Sequence, residues 1–254
     1  MLQEKNLLKN FDIKIVILSS GRAKFIADKT CQILPDYITV LVPESQKKDY
    51  AEKIKNPIDT VPDDCCGLGP LRNWVIEHYQ QETIIMVDDD ISTCYYLGKE
   101  FSERIEDPDK LVQVLINTAI MAKDAGTNVF SFSQTDIRKY KSHEPFSLNT
   151  WGGCVVGVIG KKLQFIDNKL KVDVDFFLQN LLINRIVWID NRYYFSQSRD
   201  CNTGGNAAFR NKKTFQEEID RLKAKWGKHF CITYHESNVR TSIKVARKQK
   251  NLII

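Results

Sequence analysis

Three consecutive aspartates close an apolar run, Ile84-Ile85-Met86-Val87-Asp88-Asp89-Asp90. Adjacent carboxylates repel one another unless a cation sits between them. In an extended chain alternate side chains share a face, so Asp88 and Asp90 are expected to point one way and Asp89 the other. Two carboxylates on one face suit a hard divalent ion, which takes one or two of them and completes its shell with water and phosphate oxygens. Magnesium or manganese bridged to a diphosphate fits that pattern. An acidic turn that caps a helix is the plain structural alternative for these three residues taken alone.

The elements around the triplet favour a ligand site. Apolar runs at Ile13 to Leu18, Ile38 to Val42, Ile58 to Val61 and Thr83 to Val87 read as strands, and Lys24 to Leu34, Gln46 to Ile54 and Leu71 to Tyr79 read as helices between them. Such alternation builds a parallel sheet with helices on its faces, and ligands bind beyond the carboxyl ends of its strands. The first strand ends in Ser19-Ser20-Gly21-Arg22 and the fourth in the aspartates, so both belong on that edge. Further on, a helix from Pro108 to Lys123 precedes strand-like segments at Asn128 to Ser133, Cys154 to Ile159 and Ile186 to Phe195, with one helical run at Phe176 to Asn184. The second half is therefore mixed, and is expected to form the other wall of the site.

Composition excludes several classes. With 43% hydrophobic and 27% charged residues over 254 positions the chain is neither disordered nor collagen-like, and its length suits one large α/β domain. No apolar stretch approaches the roughly 18 residues of a membrane helix, and Met1-Leu2-Gln3-Glu4-Lys5 lacks a signal pattern. A soluble, cytoplasmic protein without a membrane partner is expected. Seven cysteines without paired Cys-x-x-Cys spacing point to reduced thiols, and the adjacent Cys65 and Cys66 to small packing residues in a loop. From Ala207 to Ile254, twelve Lys or Arg stand against four Asp or Glu, a local net of +8 on a body that is otherwise slightly acidic. That asymmetry suits a polyanion, nucleic acid first; a solvated helix face with a charged tail is the alternative.

In their order these pieces resemble a nucleotide-sugar glycosyltransferase of the GT-A fold, an α/β fold with a mixed central sheet and helices on both faces. More closely, the chain resembles the TET-associated glycosyltransferases, found largely in phages, which modify hydroxymethylated pyrimidines in DNA. The likeness rests on the Ser-Ser-Gly-Arg opening, Gly67-Leu68-Gly69-Pro70-Leu71-Arg72-Asn73, the Asp triplet, Trp151-Gly152-Gly153, Asp173-Val174-Asp175 before a helix, and Gly204-Gly205 through Lys225-Trp226-Gly227.

The resemblance implies a nucleotide-sugar-binding half over 1–98, an acceptor half over 99–206 and a basic segment over 207–254 of a single domain. Ser19, Ser20, Gly21, Arg22, Gly69, Arg72, Asn73, Asp88 and Asp89 are its candidates for holding the donor, UDP-glucose or a similar UDP-sugar. Asp88 and Asp90 are candidate ligands for Mn2+ or Mg2+, with His235 added by position alone. Trp151, Gly152, Gly153, Gly204, Gly205, Lys212 and Lys213 are candidates for holding the acceptor, DNA bearing a 5-hydroxymethylpyrimidine. A flat Trp beside paired glycines offers a surface for a sugar or base, although a turn with a core Trp accounts for it equally. Asp173 and Asp175 compete for the part of general base. Asp175 directly precedes an apolar helix and has a local task as its N-cap, which leaves Asp173 as the preferred base.

Three other readings share parts of this pattern. A transferase acting on a glycan, lipid or protein has the same donor site but no use for the basic tail. A DNA-binding protein on a degenerate transferase fold gains nothing from three adjacent carboxylates. A nucleotidyltransferase needs a longer glycine-rich loop after its first strand than Ser19-Ser20-Gly21-Arg22 provides.

Overall fold

The computed structural model describes residues 2–65, 67–136, 144–166, 170–197, 211–235 and 238–245. The first half runs α1 (Leu2–Asn10), β1 (Ile13–Leu18), α2 (Ala23–Ala27), α3 (Thr30–Ile33), β2 (Thr39–Pro43), α4 (Lys47–Ala51), β3 (Ile58–Val61), α5 (Leu68–His78) and β4 (Thr83–Asp88). It continues through β5 (Ile91–Leu97), β6 (Ser102–Ile105), α6 (Pro108–Asp124), β7 (Val129–Ser133), β8 (Phe146–Ser147) and β9 (Val155–Ile159). Last come α7 (Val172–Ile183), β10 (Trp188–Gln197), α8 (Lys212–Trp226), β11 (Phe230–His235) and β12 (Asn238–Ile243).

Ten strands form one sheet in the order β3-β2-β1-β4-β9-β7-β10-β5-β6, with β8 on β10. The four strands of the first half run parallel, and β9 joins β4 and β7 antiparallel to both. This is the mixed sheet expected, and alternation along β1 shows why it is covered twice. Ile13, Ile15 and Ile17 enter a core roofed by residues such as Ile26, Tyr50 and Leu115, whereas Val16 and Leu18 enter a second core with Val75, Phe176 and Leu222. Helices α2, α4 and α6 thus lie on one face, and α5, α7 and α8 on the other.

Local chemistry sets the element ends. The long helix α6 begins behind Asp107, whose side chain accepts from the backbone N–H groups of Asp109 and Lys110, with Pro108 in its first turn. Helix α5 starts at Leu68, three residues before its apolar pattern does, because Gly67 turns the chain at φ +98°. The helix expected over Lys24 to Leu34 is instead two short ones, broken at Asp28 and Lys29. The break turns the Thr30 hydroxyl to the aspartate turn, where it donates to the Asp88 carbonyl at 2.8 Å and accepts from Ile91 N–H at 3.0 Å.

Strands β5 and β6 were not foreseen. Burial along β5 repeats every third residue instead of alternating, so the segment carries no strand period.

Candidate active site

Register places the two N-terminal motifs side by side. Leu18 pairs with Asp88 across β1 and β4, so Ser19 and Asp89 leave the sheet edge together. The strand ends at Asp88, and Asp89 and Asp90 make a tight turn into β5. The three carboxylates therefore diverge through a turn and not through the extended chain expected, yet the division of faces is the one expected. Gln197 donates through one nitrogen to Asp88 Oδ2 at 3.1 Å and to Asp90 Oδ1 at 2.8 Å. Asp89 turns the other way, accepting from Ser19 Oγ at 2.6 Å and from Arg22 Nη1 at 2.7 Å.

The donor-side loop is braced from behind. Ser19 Oγ lies 2.7 Å from the Tyr50 hydroxyl, which also accepts from Arg22 N–H at 3.0 Å. Gly21, at φ +68°, donates its N–H to Gln46 Oε1 at 2.7 Å, and the Gln46 amide nitrogen reaches Ser20 Oγ at 3.4 Å. Ser19 and Arg22 are thus committed to Asp89, and the loop's shape depends on that carboxylate.

Across the cleft, Arg72 is 2% exposed, with Nη2 3.4 Å from Asp88 Oδ1 and the guanidinium over the Phe165 ring at 5.3 Å. Its Nε and Nη1 have no hydrogen-bond partner among the described residues, a costly state for a buried cation that the surrounding negative potential offsets. Burial pushes the Asp88 carboxyl up to about 7; Arg72 pulls it back, and Asp90, Asp89 and Asp173 push it further up. The side chain still keeps 28% of its surface open. Burial also raises Asp89, against the hydrogen bonds from Ser19 and the charge of Arg22.

Two neighbours of Arg72 have packing tasks. Asn73 clamps the backbone of Phe165, accepting its N–H at 2.7 Å and donating to its carbonyl at 2.8 Å. A methyl group at Gly69 would collide with the Ile166 carbonyl oxygen, so glycine there lets α5 meet the same segment. Gly69→Ala should therefore lower stability by about 1–3 kcal/mol in a denaturant titration; an unchanged midpoint would show that the 165–166 segment yields freely.

Helix α7 carries the acceptor-side pair, and the structure corrects the reading of Asp175. The helix begins at Val172 behind Lys171, so Asp175 is not its N-cap. Instead it is fully buried, accepting from Trp226 Nε1 at 2.7 Å and Gln179 Nε2 at 2.6 Å and pairing with Lys225 Nζ at 2.9 Å. It ties α7 to α8, away from the cleft. Asp173 is half-buried in the first helical turn, makes no hydrogen bond or ion pair among the described residues, and acts electrostatically on Asp88.

The remaining candidates divide. Cys154 accepts Asp88 N–H at 2.9 Å, so Trp151, Gly152 and Gly153 border the aspartate turn. Trp151 packs on the second core, a methyl at Gly152 would strike Ser131, and Gly153 faces nearly open space. Lys212 and Lys213 are exposed at the start of α8, one turn before Phe215, whose ring lies under Lys171 Nζ at 5.6 Å. That turn therefore flanks the start of α7. His235 ends β11, in the separate hairpin with β12, and its side chain lies outside the described residues. Gly204, Gly205 and Cys66 also lie outside them.

The donor set fits a divalent cation. Among the described residues, the cations that meet Asp88, Asp89, Asp90 and Asp173 are Arg22 and Arg72, and Asp88 and Asp90 already converge on one proton-donating amide. No three His, Cys, Asp or Glu side chains form a cage among the described residues. Sequence reasoning missed Gln197, Thr30, Tyr50 and Gln46. Each reaches the site from a distant part of the chain and none belongs to a motif.

Comparison with known proteins gives the family and the fold. The family model described as TET-Associated Glycosyltransferase matches residues 13–205. No curated protein sequence matches the chain. Among solved structures, glucosyl-3-phosphoglycerate synthase from Mycobacterium tuberculosis with phosphoglyceric acid superposes at a TM-score of 0.53 and 10% identity, over 94% of this chain and 88% of that one. The same enzyme with Mn2+, UDP and phosphoglyceric acid gives 0.50 and 9%, over 95% and 89%. S. aureus TarS 1-349 with UDP-GlcNAc gives 0.50 and 13%, over 84% of this chain. The chain spans only 64% and 66% of the first two TarS structures. At these identities the shared property is the fold, GT-A.

Proposed function

Since the chain belongs to the TET-associated glycosyltransferase family, we propose that it moves a sugar from a UDP-sugar to the hydroxyl of a 5-hydroxymethylpyrimidine in DNA, with a divalent cation at Asp88 and Asp90. One observation supports this above the rest: the turn aims two carboxylates at a single point, sends the third to the donor loop, and lies within electrostatic reach of an uncommitted Asp173.

In this reading Ser19 to Arg22 cradle the nucleotide, in a shape held by Asp89, Tyr50 and Gln46. Asp88 and Asp90 would hold Mn2+ or Mg2+, which when bound would neutralise charge on the departing diphosphate. Buried Arg72 contributes a fixed positive field behind Asp88. Asp173 takes the proton from the acceptor hydroxyl as that oxygen attacks the anomeric carbon. A base within a duplex must be flipped out, or met in a single strand, for its hydroxyl to reach the cleft.

The direct test incubates the protein with hydroxymethylated and plain DNA and a panel of nucleotide sugars, then weighs the digested nucleosides. A hexose or pentose mass added only to hydroxymethylated nucleosides is the expected result. Transfer to a glycan, lipid or protein with none to DNA would keep the transferase and refute the acceptor.

The basic segment gives a second test. Lys225 pairs with buried Asp175 and is kept, while the exposed Lys212, Lys213, Lys223 and Lys228 are reversed to Glu. Each lost phosphate contact should lower the slope of log affinity against log salt by about 0.9 on duplex DNA. Hydrolysis of the donor without acceptor should stay as in the parent. Equal affinity at all salt concentrations would reduce the charge asymmetry to a solubility feature.

A further inference from the structure

Gln197 is the last residue of β10, and its register changes as it reaches the aspartates. Ser196 pairs with Thr93 but Gln197 pairs with Ile91, so Ser92 is the extra residue of a bulge, with its Oγ 3.4 Å from the Ser196 carbonyl. Bulges bend a strand and re-aim the side chain that follows. Here the re-aimed group is an amide whose nitrogen lies 3.1 Å from Asp88 Oδ2 and 2.8 Å from Asp90 Oδ1.

Those two distances carry a second meaning. Six oxygens around a small divalent ion stand about 2.1 Å from it at right angles, which separates neighbouring ligand oxygens by about 3.0 Å. The amide head of Gln197 stands 3.1 and 2.8 Å from the two carboxylate oxygens, an ordinary hydrogen-bond spacing that is also close to the separation of neighbouring ligands in an octahedral shell. The amide presents its N–H2 to both carboxylates. A half-turn about the final side-chain bond puts Oε1 in nearly the same place, since the two amide ends are almost equal in size and opposite in hydrogen-bonding character.

We propose that Gln197 is a protein ligand of the divalent ion, presenting nitrogen to Asp88 and Asp90 when the ion is absent and turning over to present Oε1 when it binds. The inference rests on the metal-dependent reading above and adds a neutral oxygen to it. The amide stabilises the paired carboxylates before loading and fills one coordination position after it. The bulge holds this residue in reach of both states.

Binding of Mn2+, followed by loss of the free-ion electron paramagnetic resonance signal in the presence of UDP, tests the proposal without any turnover. Gln197→Leu should weaken Mn2+ by at least about tenfold, at the lower end of the range typical for groups that support a metal site. Gln197→Glu, which keeps the shape and adds a charge, should tighten it by a similar factor. Should Gln197→Leu bind Mn2+ more tightly, the amide is a competitor that leaves the site; should it bind equally, the amide plays no part. Either result overturns the ligand. If the leucine variant fails to fold, equal or weaker binding by Gln197→Glu overturns it as well. A parent protein that binds no Mn2+ with UDP present removes the metal site itself, whereas parent binding that is insensitive to both variants removes only Gln197.

Discussion

Asp90→Asn should leave a folded protein that transfers no measurable sugar, a loss of at least about a thousandfold given that a metal ion contributes several kcal/mol of charge stabilisation in the transition state. Asp90 is buried at the turn, 8% exposed, and its carboxylate accepts from the Gln197 amide at 2.8 Å. Asparagine has the same shape and keeps an oxygen for that donor, so the turn has no reason to unravel. What disappears is one of the two negative charges that converge on the cation position, which a hard ion requires. Two measurements check this. Transfer should be lost even with excess Mn2+, and Mn2+ should raise the thermal midpoint of the parent but not of the variant, because only a ligand that binds the folded state stabilises it. Full activity of Asp90→Asn, or parent activity that persists in excess chelator, would remove the metal from the mechanism.

Much of this site was legible because its motifs end strands that lie side by side. Once β1 and β4 are recognised as parallel neighbours, Ser19 to Arg22 and Asp88 to Asp90 must share an edge, and periodicity alone gives that much. The rest depends on side chains that arrive from far along the chain. Thr30 meets the turn from 58 residues upstream of Asp88, and Gln197 from 109 residues downstream of it. A single sequence carries no local trace of either contact. Asn73 and Gly69 show a different situation. They lie in a motif that suggests a ligand role, and in the fold Asn73 is hydrogen-bonded to the Phe165 backbone while Gly69 leaves room for the Ile166 carbonyl. The start of α7 was misread because Asp175 looks like a cap before Phe176 and Phe177, whereas Val172 and Val174 are themselves buried on the helix. Helix propensity is too weak to fix an end within one turn.

That misreading sharpens the choice of base. Asp173→Asn should slow transfer by at least the roughly hundredfold typical of general-base loss, with donor affinity and stability near those of the parent. The side chain is half-buried and makes no hydrogen bond or ion pair among the described residues, so its amide analogue disturbs no packing. Asp175→Asn should act differently. Its carboxylate accepts from Trp226 and Gln179 and pairs with Lys225. Weakening hydrogen bonds to a charged acceptor should cost on the order of 1–3 kcal/mol of stability and loosen α8, and with it the basic turn at Lys212 and Lys213. At temperatures where both variants are folded, Asp173→Asn should therefore show the greater fall in kcat, and Asp175→Asn the greater fall in thermal midpoint. A larger loss of kcat in Asp175→Asn at unchanged stability would reverse the assignment. A product that keeps the donor's anomeric configuration would also count against Asp173, because direct attack by the deprotonated hydroxyl inverts that centre.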